Sequence, residues 1–171
     1  MMSIRIDSKI ILILSIIFVA SCRGHVYLAP LPAEATMSEK KYFVEPIKIT
    51  DQRMTPDFRE NGISIYQKGI EEKLKKMNKL AINKVEADYI LVLIVEKYYK
   101  RNAEKYMSPF SSGPKSDHME TLVLVNEAAS GKELSRGRIF YRDSSIFGSL
   151  NSMIRNSIDE IVKNINGKSN K

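Results

Sequence analysis

The chain has 171 residues, one cysteine, and 27 basic against 20 acidic side chains, for a formal net charge of +7. That length allows one domain with a core of its own. A single cysteine excludes a fold held by internal disulfides, so packing alone must hold it. The charge could favour anionic partners such as lipid headgroups, but the basic residues are scattered and their plainest role is a solvated surface.

Residues 1–21 read as an export signal. Arg5 and Lys9 precede an apolar run from Ile10 to Ala20, broken only by Ser15, and small residues follow. A charged start, a dozen apolar residues and a small-residue site form the layout of a secretory signal, and the run is shorter than the roughly 20 residues of a membrane-spanning helix. Val19-Ala20-Ser21-Cys22 resembles a bacterial lipobox. The resemblance implies cleavage before Cys22 and thioether-linked acyl chains on its sulfur, which hold a protein stably at a bilayer once two or more chains are present. Loss of residues 1–21 removes two bases and one acid, taking the charge from +7 to +6. Arg23 rather than Asp follows Cys22, which leans toward the outer membrane. An exported chain makes nucleic acid a poor partner.

Residues 22–40, with Gly24, Pro30 and Pro32, read as a tether that lets residues 41–167 stand off the membrane; 168–171 read as a tail. Tyr42 to Ile49 is rich in strand formers, and Pro46 predicts an edge or bulged strand. Asp57 is a candidate cap. Ile63, Tyr66, Ile70, Leu74 and Met77 recur at helical steps, with Gly69 weakening the helix by about 1 kcal/mol and Asn78 as its exit. Leu80, Ile82 and Val85 suggest a short strand. Ala87 to Tyr99 holds six consecutive apolar residues from Ile90 to Val95, the pattern of a strand covered on both faces. Residues 102–118 read as a long polar loop. Thr121 to Val125 and Leu134 to Tyr141 form a hairpin about Ser130-Gly131-Lys132. Ser144 or Ser145 caps a last helix with Leu150, Ile154, Ile158, Ile161 and Ile165 on one stripe, ended by Gly167.

The expected fold is therefore α+β, a two-layer sandwich. A mostly antiparallel sheet of four to five strands carries two helices on one face. No third helix is predicted for the other face, so that face is either polar or meets a partner.

Catalytic signals are sparse. His118 stands beside Asp117 at the loop end, where an Asp–His pair could serve general-base work or a metal site, or simply be an exposed loop end. No nucleophile elbow, metal-spaced histidine pair or phosphate loop is present in the sequence. Glu86, Asp88 and Asp143 read as turn residues. The expectation is a non-enzymatic chain without a metal or cofactor. Binding is expected instead from Lys97, Tyr98, Tyr99, Lys100, Arg101, Lys105, Tyr106 and Phe110, where aromatic and basic residues alternate as a protein hot spot or an anionic glycolipid site would require.

Ala87-Asp88-Tyr89-Ile90-Leu91-Val92, then Thr121 to Val125, Gly131-Lys132 and Arg136-Gly137, resemble the strand and hairpin of several small bacterial envelope lipoproteins. In size and element order the chain is similar to the lipopolysaccharide-assembly lipoprotein E family, though Arg23-Gly24 stands where that family commonly has Gly-Phe. The resemblance implies an accessory subunit that binds a protein partner in envelope assembly. The alternative is a module for an anionic glycolipid or polymer such as lipopolysaccharide. It transfers no site residue, because these families offer no catalytic motif to match.

Overall fold

The computed structural model describes residues 22–51, 58–99, 117–143 and 150–168. The signal segment, Asp57 and the serines proposed as the last helix cap lie outside them, as does most of the predicted loop.

Six strands form one sheet: β1 (Cys22–Leu28), β2 (Tyr42–Val44), β3 (Lys48–Ile49), β4 (Tyr89–Tyr99), β5 (Asp117–Glu127) and β6 (Glu133–Asp143). Their order is β1-β6-β5-β4-β2, with β3 also on β4. Pairing is antiparallel from β1 through β4, and β2 and β3 run parallel to β4. A short helix α1 (Ala33–Thr36) follows β1, and α2 (Ile63–Lys76) and α3 (Leu150–Ile165) carry the helical layer on one side. The α+β sandwich with its helices on one face is thus as expected, with one strand more than the sequence reading allowed.

The helical stripes explain that layer. Tyr66, Ile70 and Leu74 on α2 are fully buried, and Met153, Ile154, Ser157, Ile158, Ile161 and Ile165 face inward from α3. They meet Tyr89, Leu91, Leu93, Val95 and Tyr98 of β4 and Met119, Val123 and Val125 of β5, the alternate residues of strands whose side chains point to opposite faces. Asn78 leaves α2 at φ 57, and Gly167 leaves α3 at φ 68, so both helices stop where a left-handed residue was expected.

Pro46 splits the second strand instead of bulging it. Glu45 N–H donates to Leu91 O at 3.0 Å, Pro46 has no N–H, and the Ile47 N–H donates to Gln67 Oε1 of α2 at 3.2 Å before β3 resumes.

Two expectations are overturned. Residues 22–40 are not a tether. Cys22–Leu28 pairs with β6 from Cys22↔Asp143 to Leu28↔Gly137, and α1 buries Ala35, whose carbonyl accepts the Tyr42 hydroxyl at 2.6 Å. The buried Lys79 ammonium closes the end of α1, donating to Thr36 O at 2.8 Å and Met37 O at 2.6 Å. The prolines that suggested a flexible linker merely separate β1 from α1. Nor do Leu80, Ile82 and Val85 form a strand. Leu80 makes a single bridge to Tyr42, and a 3₁₀ turn follows at Lys84–Glu86. Asn83 caps that turn, accepting from Glu86 N at 3.0 Å and donating to Glu86 Oε1 at 2.8 Å, which leaves Ile82 85% and Val85 96% exposed.

β1 fits only because Gly137 has no side chain. A Cβ there would stand 2.3 Å from Tyr27 O and 2.6 Å from the Leu28 Cα. Gly137→Ala is expected to separate β1 from β6 and cost about 1–3 kcal/mol, the range for overpacking. Faster amide exchange confined to residues 22–28 would show it; unchanged exchange there would contradict it.

Candidate functional site

The helix-free face of the sheet collects the alternate residues of every long strand. It has three zones, taken from the β4 start toward its end.

The first is aliphatic. Phe43↔Ile90, Val92↔Leu124 and Ile94↔Leu122 are cross-strand partners, so six apolar side chains form a continuous surface. Val92 is buried by its neighbours and the other five are half-buried. The Lys84 ammonium sits 5.9 Å from the Phe43 ring centroid at the border of this surface.

The second is a charged belt. Lys97 Nζ pairs with Glu120 Oε2 at 3.0 Å, and Arg138 grips Glu96 through both Nε and Nη2 at 3.0 Å. Arg138 Nε also lies 3.8 Å from Glu120 Oε1, so two bases and two acids neutralise one another. The hydrogen bond to Glu120 raises the Lys97 pKa above its ordinary value.

The third is a row of rings crossing four strands. His25 stacks on Phe140 at 6.4 Å, Phe140 lies 5.3 Å from His118, and His118 meets Tyr99 edge-on at 4.9 Å. The Tyr99 hydroxyl donates to Asp51 Oδ2 at 3.3 Å. Burial lowers the His118 pKa, and nearby Lys97 and Arg142 push it the same way against the opposing pull of Glu120.

The predicted binding residues divide accordingly. Lys97 and Tyr99 do reach this face. Tyr98 does not: it is 2% exposed on the helix side, its ring 4.6 Å from that of Phe58. A register shift between Val95 and Lys97 sets this alternation. Lys100, Arg101, Lys105, Tyr106 and Phe110 lie outside the described residues. Asp117 and His118 are no Asp–His pair. As neighbours on β5 they point to opposite faces, Asp117 buried and His118 among the rings. Asp88 is structural, as its turn position suggested. Burial would raise its pKa, but the Lys41 N–H at 2.9 Å and the Lys40 ammonium at 3.0 Å hold it below the usual carboxylate value and tie the start of β4 to β2.

Sequence reasoning missed His25, Glu96, His118 as a ring partner, Arg138 and Phe140. The alternation of Arg136, Arg138, Phe140 and Arg142 with Ser135, Gly137, Ile139 and Tyr141 was the available signal: it marks two unlike faces of β6.

Among the described residues no helix is long and apolar enough to cross a membrane, and no group of three potential ligands is placed to hold a metal ion. No protein-family model matches the sequence, and no curated protein matches it. Solved structures match the fold. The chain is similar to PelC from Paraburkholderia phytofirmans, solved as a dodecamer, with a TM-score of 0.59 and 16% identity over 87% of this chain and 100% of that one. It is similar to CT253 from Chlamydia trachomatis, with a TM-score of 0.55 and 12% identity over 76% of this chain and 97% of that one. It is also similar to XCC0632 from Xanthomonas campestris, of family DUF330, with a TM-score of 0.52 and 15% identity over 81% and 91%. At these identities the shared property is the fold: an open, mostly antiparallel sheet with its helices on one side.

Proposed function

We propose that the protein is a lipoprotein of the bacterial cell envelope, held to a membrane by acyl chains on Cys22, whose work is binding rather than catalysis. In this reading it is an accessory subunit of an envelope assembly. A protein partner docks on the aliphatic zone of the helix-free face. The observation that carries the reading is that zone itself: Phe43, Ile90, Ile94, Leu122 and Leu124 make a contiguous apolar surface on the side of the sheet opposite the helices. Contiguous apolar surface of this kind marks interaction sites. The sequence supplies the address, through the lipobox-like Val19 to Cys22, and the element order supplies the likeness to envelope-assembly lipoproteins. The glycolipid alternative rests on the basic and aromatic segment 97–106, of which Lys97 pairs with Glu120 and residues 100–106 lie outside the described ones; the aliphatic zone favours a protein partner.

A photo-crosslinking residue at Leu124 is expected to capture one defined protein in intact cells, and the same residue at Ile65, exposed on α2, is expected to capture none. Equal labelling from both positions, or no adduct from Leu124, would refute the docking face. Cys22→Ser is expected to abolish acyl labelling; persistent labelling would refute the anchor.

A further inference from the structure

We propose that the Cys22 end of the helix-free face rests on the phospholipid headgroups of the bilayer that holds the anchor. The inference rests on acylation of Cys22 and adds an orientation to it. Because Cys22 is itself a position of β1, paired with Asp143, the anchor enters the sheet directly, with no linker between lipid and fold. The first groups after it are therefore delivered to the membrane surface.

Those groups suit a headgroup layer. His25 and Arg142 are exposed, and Tyr27 is 73% exposed on the edge strand. The register sets Arg142 and His25 close to the anchor, at Arg23↔Arg142 and His25↔Phe140, and Tyr27 follows farther along β1, opposite Arg138. Aromatic rings with polar tips favour the membrane–water interface. Arginine near the surface is attracted to anionic lipids. The opposite end of the sheet is different. It carries the capped turn with Ile82 and Val85, near where β4 begins, and the 11 residues of β4 separate the two ends. At about 3.3 Å per residue that is roughly 35 Å, well clear of the bilayer surface.

The chain contains no tryptophan, so a single introduced one reports its own surroundings. The lipidated full-length protein, purified from membranes, would be reconstituted into phosphatidylethanolamine–phosphatidylglycerol vesicles with brominated acyl chains. His25→Trp is expected to lose most of its emission relative to unbrominated vesicles, and Val85→Trp to keep it. Arg142→Glu, added to His25→Trp, is expected to restore emission in part with phosphatidylglycerol present, and to change little in its absence. Flotation of the same samples reads the anchor separately. Protein that floats with His25→Trp unquenched, or with Val85→Trp quenched instead, overturns the orientation and leaves the anchor standing. Protein that does not float overturns both.

Discussion

Tyr98→Ala is expected to destabilise the domain by about 3–5 kcal/mol, the range for deleting a large buried aromatic side chain. Tyr98 is 2% exposed and stacked on Phe58, which leads into α2, so its loss opens a cavity between the sheet and the helical layer. Its neighbour behaves oppositely. Lys97→Ala removes one exposed ion pair and is expected to leave stability nearly unchanged. Urea titrations of both variants make the comparison. If the two fell equally in midpoint, the alternation about the Val95/Lys97 shift would be wrong.

Raising the pH above 10 is expected to unfold the protein steeply. Tyr66 is fully buried between α2 and α3, bonded to the Ser157 hydroxyl, and burial pushes its phenol up to about 12. The same phenol in the unfolded chain ionises near its ordinary value of 10. Between those values the unfolded chain has released a proton that the folded chain retains, so stability falls as pH rises. The loss is about 1.4 kcal/mol per pH unit, or roughly 3 kcal/mol across the interval. Tyr42 adds to it, its pKa raised first by burial and then by Tyr89 and Asp88. Stability measured by denaturant at pH 9, 10 and 11 should show this slope. Tyr66→Phe should flatten it, at a cost of about 1 kcal/mol near neutrality for the lost hydrogen bond. An unchanged slope in Tyr66→Phe would refute the assignment.

Elements with a strong period were readable in the sequence. The stripes of α2 and α3, the apolar run of β4 and the β5–β6 hairpin all follow from where apolar residues must face. Gly69, read as a weakness in α2, turns out to be a contact: a Cβ there would lie 2.6 Å from Ile158 Cδ1. That contact needs the position of α3 and is invisible to propensity. β1 was hidden for a related reason. Its residues Gly24, His25, Val26 and Tyr27 carry little alternation of their own, and the strand exists through pairing with β6 far along the chain. One end of the ring row was hidden with it, since His25 meets Phe140 only once β1 joins the sheet. The Tyr98 error has another origin: sequence proximity grouped Lys97, Tyr98 and Tyr99, whereas the pleat sends consecutive residues to opposite faces.

The pairing of the first strand with the last one also sets an order of events. β6 emerges late in synthesis, so β1 has no partner until most of the chain has been made. Through that interval the segment around Cys22 has no ladder partner and, under the acylation proposed above, stays open to the enzymes that would modify it. Closure of the ladder afterwards withdraws the same segment from proteases. Topology alone thus separates an open from a paired state of this segment in time.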